Sequence, residues 1–202
     1  MKDFKKTAIF GGTFNPPHLG HRFMLESIAR LPEIEKVLVM PAKLPPHKSG
    51  EIVSPEHRVN MCSLAFEGIP KTEISLDELS LKGKSYTVKT LEYLKQKGCE
   101  NPVLVIGADS LISFHKWYRF EEILSLAELY VYMRHGCSKE SLLSAKEDLK
   151  KLGAKITLSD ILPPEISSTQ IRKNIKSGGC DGDFLAPSVL EYINKYSLYK
   201  DE

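Results

Sequence analysis

Short apolar, β-branched runs recur about every thirty residues along this chain: Thr7 to Phe10, Val37 to Met40, Glu73 to Leu76, Val103 to Ile106, Leu129 to Met133 and Lys155 to Leu158. That spacing predicts six strands, each joined to the next through a helix, as in repeated βαβ units. The stretches between them carry helical periodicity. In Ser138 to Leu152, for example, Leu142, Ala145, Leu149 and Leu152 fall on one face and Ser138 stands where an N-cap belongs. From about residue 168 two helical stretches, Thr169 to Lys176 and Pro187 to Tyr196, follow without an intervening strand. The pattern predicts an α/β fold of Rossmann-like, doubly wound type: a mostly parallel sheet covered on both faces, with a small C-terminal helical appendage at about 168–202. The whole of residues 1–202 is expected to form a single domain.

Such sheets bind ligands beyond the carboxyl ends of their strands, so those ends are where chemistry is sought. They read Gly11-Gly12, Pro41-Ala42, Gly107-Ala108-Asp109 and Arg134-His135-Gly136, all rich in glycine, charge and turn formers.

Composition narrows the classes. With 28 basic and 26 acidic residues the net charge is +2, too small to make a nucleic acid the main partner. Phosphate binding, if present, is local. The apolar runs fall far short of the roughly 18 residues of a membrane helix, and the basic start of the chain lacks the apolar core of a signal peptide. A cytoplasmic protein with no membrane partner is expected. Cys62, Cys99, Cys137 and Cys180 form no Cys-x-x-Cys pair, which argues for reduced thiols over zinc or a disulfide framework. A homo-oligomer is compatible with the sequence, which does not decide the number of copies.

The most informative string follows the first strand: Gly11-Gly12-Thr13-Phe14-Asn15-Pro16-Pro17-His18-Leu19-Gly20-His21. Two glycines permit a tight turn and close approach of backbone N–H groups to a ligand, and the prolines stiffen the entry into a helix. His18 and His21 project from one face at the helix start, where unpaired N–H groups and the positive end of the dipole favour an anion. Gly20, lacking a Cβ, would let a purine ring lie close. Each histidine alone is more often an ordinary surface or core residue; the complete string makes coincidence a poor account. A nicotinamide dehydrogenase fits badly, since Gly-x-Gly-x-x-Gly is absent and the second strand ends Met40-Pro41-Ala42 without an acidic residue for the adenosine ribose.

Gly11 to His21 resembles the (H/T)-x-G-H motif of the nucleotidyltransferase superfamily, in its bacterial nicotinate-nucleotide adenylyltransferase form. The resemblance continues in Pro45-Pro46-His47-Lys48, in the helix holding Arg58 and Met61, in Ser85-Tyr86-Thr87-Val88, and in Gly107-Ala108-Asp109 with Phe114 and Trp117. It closes with Ile166-Ser167-Ser168-Thr169-Gln170-Ile171-Arg172. It implies adenylyl transfer from ATP to nicotinate mononucleotide, giving deamido-NAD and pyrophosphate, a step of NAD biosynthesis.

Within that reading His18, His21 and Arg172 are the expected catalytic residues. Gly11, Gly12, Thr13, Phe14, Gly20, Gly107, Asp109, Arg134, Ser168 and Thr169 join them in binding ATP. The string from Ser167 to Gln170 has the form of a capping box, and the helix it opens, with Arg172 near its first turn, offers a second anion site for the β and γ phosphates. Asp109, at the end of an apolar strand, is suited to accept hydrogen bonds from ribose hydroxyls or to act as an N-cap; the resemblance favours the ribose. The resemblance also assigns Thr87 and Trp117 to the nicotinate, with Trp117 stacking on the pyridine ring, and offers Lys48, Arg58 and Arg134 as phosphate or adenine contacts.

No protein nucleophile is needed. Mg²⁺ is expected to arrive with ATP, because the sequence shows no carboxylate cluster of its own, and no protein metal site is assigned. Lys89, Phe120 and His135 depart from the commonest residues of the family, which are aspartate, tryptophan and proline. The rival readings are the same chemistry on nicotinamide mononucleotide or phosphopantetheine, and a nucleotide-binding module without activity. A fragment of a class I aminoacyl-tRNA synthetase ranks last, since no Lys-Met-Ser-Lys-Ser string is present.

Overall fold

The computed structural model describes residues 5–43, 52–81, 83–179 and 182–200. In chain order the elements are β1 (Lys6–Gly12), α1 (Leu19–Ala29), β2 (Ile34–Pro41), α2 (Pro55–Ala65), β3 (Thr72–Ile74), α3 (Asp77–Ser80), α4 (Thr87–Gln96), β4 (Pro102–Gly107), α5 (Ala108–Ile112), a 3-10 turn at Phe114–Lys116, α6 (Phe120–Leu126), β5 (Glu128–Tyr132), α7 (Lys139–Lys151), β6 (Ile156–Leu158), α8 (Ser168–Lys176) and α9 (Pro187–Lys195). The six strands form one parallel sheet in the order β3-β2-β1-β4-β5-β6. All six expected strands exist, with ends displaced by at most three residues. Leu76, for instance, lies beyond β3 and is 56% exposed.

The unbroken apolar character of the strands follows from burial on both faces. Ala8 and Phe10 of β1, Val37 and Val39 of β2 and Val103 and Val105 of β4 face one cluster, which α1, α2, α8 and α9 cover with Leu25, Ile28, Met61, Ile171, Val189 and Ile193. The alternate residues Ile9, Leu38, Met40, Leu104 and Ile106 face the opposite cluster, covered from α4 to α7 by Leu91, Leu111, Ile123 and Leu142. The C-terminal helices therefore share a core with the first third of the chain. Strand order reverses between β1 and β4, and their carboxyl ends part there to leave the crevice in which such folds bind ligands. No helix among the described residues is long and apolar enough to cross a membrane.

Local chemistry explains the helix starts, with one correction. Ser138 caps α7 as expected, its Oγ accepting from the Ser141 N–H at 3.2 Å. Of the predicted apolar face Leu142 and Leu149 are buried, whereas Leu152 is 53% exposed. The capping box expected at α8 does not form: Ser167 makes no side-chain cap, and Gln170 donates to Asn174 one turn further on at 2.7 Å. The next hydroxyl, that of Ser168, donates to the Pro16 carbonyl at 2.9 Å. A long-range partner thus takes the place of a local one.

Candidate active site

The loop joining β1 to α1 is closed in on itself. Residues 13–18 are all buried, and their polar groups are matched to partners from distant parts of the chain. The Asn15 side chain accepts from the Tyr199 hydroxyl at 2.8 Å and from the Val53 N–H at 3.3 Å. Phe14 takes a left-handed backbone conformation with φ of 50°, which turns its ring into the core against Phe10 and Phe66. A Cβ at Gly12 would lie 2.9 Å from that ring. Gly12 is therefore required by Phe14, whereas around Gly11 nothing lies within 4 Å of a Cβ position, so the backbone there is open to a ligand.

His18 is the N-cap of α1, and His21 is the third residue of the helix. The His21 N–H donates to His18 Nδ1 at 3.4 Å, and the His18 N–H donates to His21 Nδ1 at 3.2 Å. The pair is a capping box built from two imidazoles, a role that serine and glutamate usually fill. Because each Nδ1 accepts a hydrogen bond, each neutral ring carries its proton on Nε2, which makes that atom a donor. The rings stack with centroids 3.6 Å apart, an arrangement that two imidazolium cations would oppose. His21 also meets the Phe14 ring edge-on at 5.2 Å.

This capping uses up helix donors that the sequence left for an anion. Leu19 N–H donates to the Phe184 carbonyl at 2.9 Å, and His21 N–H to His18. The ring nitrogens, more than the helix backbone, are what this terminus offers a phosphate. Gly20 is also placed otherwise than expected. Its Cβ position lies 3.1 Å from His18 Nδ1 and 3.3 Å from the Pro164 carbonyl, so the missing methyl makes room for the His18 ring.

From the other side α8 docks on the same loop. Arg172 donates to the Asn15 carbonyl at 2.8 Å and to Thr169 Oγ1 at 3.4 Å, and Ser168 holds Pro16. The structure thus brings His18, His21, Ser168, Thr169 and Arg172 to one place from the two ends of the chain.

Beside this loop, at the crevice between β1 and β4, opens a cleft with Gly11, Gly12 and Thr13 on one side. Ser85, Tyr86, Thr87, Trp117, Tyr118 and the buried Glu78 also line it. Trp117 stacks one ring face on Phe114 with centroids 5.0 Å apart, and Tyr86 and Tyr118 meet at 4.6 Å. Such an aromatic-walled slot suits a flat heterocycle. Thr87 is the first residue of α4.

At the neighbouring strand ends Asp109 follows β4 and Arg134 follows β5, and they pair at 2.7 Å. Gly107, not Asp109, stands at the N-cap of α5. Both partners are more than half exposed, so the pair is worth at most about 1 kcal/mol and separates readily for a competing partner such as a diol.

The cytidylyltransferase-like family model matches residues 9–174. A probable nicotinate-nucleotide adenylyltransferase of Caldicellulosiruptor saccharolyticus is 37% identical over 200 residues, covering 97% of this chain and all of the relative. The chain belongs to the nicotinate-nucleotide adenylyltransferases. A second family member, from Pectobacterium atrosepticum, is 36% identical over 96% of this chain and 98% of its own length. The fold is also that of the Plasmodium falciparum nicotinic acid mononucleotide adenylyltransferase complexed with NaAD, at a TM-score of 0.79 and 23% identity over 96% of this chain and 97% of that one. The same enzyme complexed with APC gives a TM-score of 0.78 at 22% identity over 96% of this chain and 97% of that one.

Among the family's expected site residues, Arg58 is put to another use. It is fully buried, and its guanidinium donates to the carbonyls of Thr13 at 2.9 Å, Val53 at 3.1 Å and Lys43 at 3.4 Å. In place of a nucleotide contact it ties the signature loop to the chain on either side of residues 44–51. Burial lowers its pKa, while Cys62, Tyr199 and Glu78 act in the opposite sense. Its sequence position carried a hint, because Arg58, Met61, Cys62 and Ala65 share the buried face of α2. Lys48, in the Pro-Pro-His-Lys string, lies outside the described residues.

The departures from the family pattern sit at the margins. Lys89 is exposed, with its ammonium 5.6 Å from the centre of the Tyr86 ring. Phe120 packs against the second core cluster, and His135 is exposed. Sequence reasoning missed Asn15, whose buried amide organises the loop, and Glu78, for which no local pattern gave a sign.

Proposed function

We propose that this chain transfers the adenylyl group of ATP to nicotinate mononucleotide, and that residues 1–202 act as one unit in doing so, in the cytoplasm. One observation carries the reading: the stacked His18–His21 pair, clamped by α8, stands beside an aromatic-walled cleft at the strand-order reversal. A phosphate site and a heterocycle site therefore adjoin. The name shared by the full-length relatives and the NaAD-bound structural neighbour support the same acceptor.

In the reaction an oxygen of the acceptor's 5′-phosphate forms a bond to the α-phosphorus of ATP, the bond from that phosphorus to the β-phosphate oxygen breaks, and pyrophosphate leaves with the electron pair. The acceptor needs no general base, since a phosphate monoester with a second pKa near 6 is largely dianionic at neutral pH. The protein's part is placement and charge stabilisation. The Nε2–H donors of His18 and His21 meet oxygens of the bridging phosphates. Arg172 and Thr169 hold the departing pyrophosphate, the guanidinium having donors beyond those spent on Asn15 and Thr169. The open backbone at Gly11 lets the nucleotide lie against β1, and Asp109 exchanges Arg134 for the ribose hydroxyls. Thr87 and Trp117 frame the pyridine ring.

Mg²⁺ arriving with the nucleotide would supply neutralisation of the triphosphate charge.

The test is pyrophosphate release with ATP and Mg²⁺ from nicotinate mononucleotide, nicotinamide mononucleotide and phosphopantetheine in parallel. A kcat/KM at least tenfold higher on the nicotinate form is expected. Preference for another acceptor overturns the substrate, and release with none of them overturns the activity.

A further inference from the structure

Residues 197–199, just after α9, reach back to the first loop. The backbone there is left-handed at two residues that are not glycine, Ser197 with φ of 50° and Tyr199 with φ of 63°. Such conformations are costly for a residue with a Cβ and persist where the surrounding structure over-determines them. Here they accompany a buried ring: Tyr199 is 5% exposed, and its hydroxyl lies 2.8 Å from Asn15 Oδ1. The Val53 N–H, which can only donate, meets the same oxygen at 3.3 Å. That oxygen is therefore an acceptor and the tyrosine hydroxyl its donor. On the main chain of the same residue, the Asn15 carbonyl accepts from Arg172 at 2.8 Å. The peptide group carrying that carbonyl leads into Pro16 and has no N–H of its own to anchor it. It is held through its flanks, by Tyr199 and Val53 on the Asn15 side chain and by Ser168 on the Pro16 carbonyl at 2.9 Å.

We propose that Tyr199 is a positioning residue for the transfer step: through Asn15 its hydroxyl sets the carbonyl on which the Arg172 guanidinium rests, and so the angle at which that guanidinium meets the departing pyrophosphate. This rests on the reading above that Arg172 holds the leaving group. Tyr199 is not one of the residues lining the aromatic-walled cleft, so seating of the acceptor's ring does not depend on it. Contacts to a leaving group strengthen as its bond breaks, and a misaligned guanidinium therefore lowers kcat and weakens pyrophosphate binding without raising the acceptor KM. A buried hydrogen bond between neutral groups corresponds to up to about tenfold, of which about fivefold is expected to reach the reaction.

Steady-state kinetics with inorganic pyrophosphate as product inhibitor test the proposal on Tyr199→Phe, Arg172→Ala and the double variant, each assayed below its own melting transition. Tyr199→Phe is expected to lower kcat about fivefold and raise the Ki for pyrophosphate about fivefold, with the KM for nicotinate mononucleotide changed by no more than about twofold. In the Arg172→Ala background the same change is expected to alter kcat and Ki by less than about twofold, because the guanidinium through which the hydroxyl acts is gone. A hydroxyl that only stabilises the fold would lower Tm and leave all three constants in place. That result, or full additivity with Arg172→Ala, overturns the proposal. If Tyr199→Phe does not fold, Asn15→Ala compared with Asn15→Asp carries the same split: aspartate keeps an acceptor for both donors and is expected to recover most of the kcat lost in the alanine variant, and equal losses in the two overturn the proposal. Arg172→Ala alone separates the two readings. Unchanged pyrophosphate inhibition in that variant removes Arg172 from the leaving group, and the role of Tyr199 with it. Weakened inhibition there, with parental inhibition in Tyr199→Phe, keeps Arg172 in its role and ends that of Tyr199.

Discussion

Replacing Arg58 by methionine keeps the length and apolar stem of the side chain and removes the guanidinium. Three carbonyls, those of Thr13, Val53 and Lys43, then lose charge-assisted donors, in a place too buried for water to substitute freely. Each such bond contributes about 1.5–3 kcal/mol, but methionine recovers some apolar packing. The expected net loss is about 3 kcal/mol, at the lower end of the cost of breaking a buried charged network. For a protein of this size, with 2–4 °C per kcal/mol, Tm should fall by about 6–12 °C. Thermal melting followed by far-ultraviolet circular dichroism measures the shift, and urea titration gives the free energy directly. Arg58→Lys should regain only part of it, since one ammonium cannot span three carbonyls in the same plane. A nucleotide-binding Arg58 would behave in the opposite manner: an Arg58→Met variant melting within about 2 °C of the parent, with a KM raised tenfold, would refute the assignment of this residue to the loop.

His21→Ala removes both a phosphate donor and half of the reciprocal cap. Turnover in pyrophosphate release should drop by at least 100-fold, while stability falls by about 1 kcal/mol; near-parental kcat would discard the mechanism. Gly20→Ala inverts a usual rule. Alanine favours a helix by about 1 kcal/mol over glycine, yet here its methyl would press on the His18 ring at 3.1 Å, so kcat should fall at least tenfold without loss of helix content. A kcat unchanged in that variant would show that the ring has room to move. Trp117, the single tryptophan, should report acceptor binding by a change in its fluorescence on titration with nicotinate mononucleotide, and an unaltered spectrum at saturation would place the ring elsewhere.

Much of the architecture was written in local pattern. The apolar runs at Val37–Met40 and Val103–Ile106 are continuous because both faces of those strands are covered, and the alternation of such runs with helical stretches indicated a parallel, doubly wound sheet. Ser138 caps its helix where its chemistry says it should. What local pattern could not show is where polar groups find distant partners. Ser167 and Gln170 have the spacing of a capping box, but helix α8 is held by Ser168 and Arg172 reaching residues 152 and 157 positions away. Gly12 and Gly20 read as openings for a ligand because glycine's missing side chain is visible in sequence, while the groups that fill the space, Phe14 and His18, are known only from the fold. Arg58 reads as a surface cation until its neighbours on the helix face are considered. Glu78 stands beside Asp77 in a polar stretch, and its burial is known only from the fold.

The contact between Asn15 and Tyr199 has a consequence for how the protein is made. The two residues are 184 positions apart, so during synthesis the signature loop leaves the ribosome well before the hydroxyl that holds it. At roughly 5–20 residues per second the interval is on the order of ten to forty seconds. Arg172, Phe184 and Tyr199 all arrive late, and all bind the segment from Asn15 to Leu19. The earliest-translated piece of chemistry is thus among the last to be assembled, and a nascent chain stalled short of α8 carries both histidines of the site without the Ser168, Arg172, Phe184 and Tyr199 groups that hold their loop.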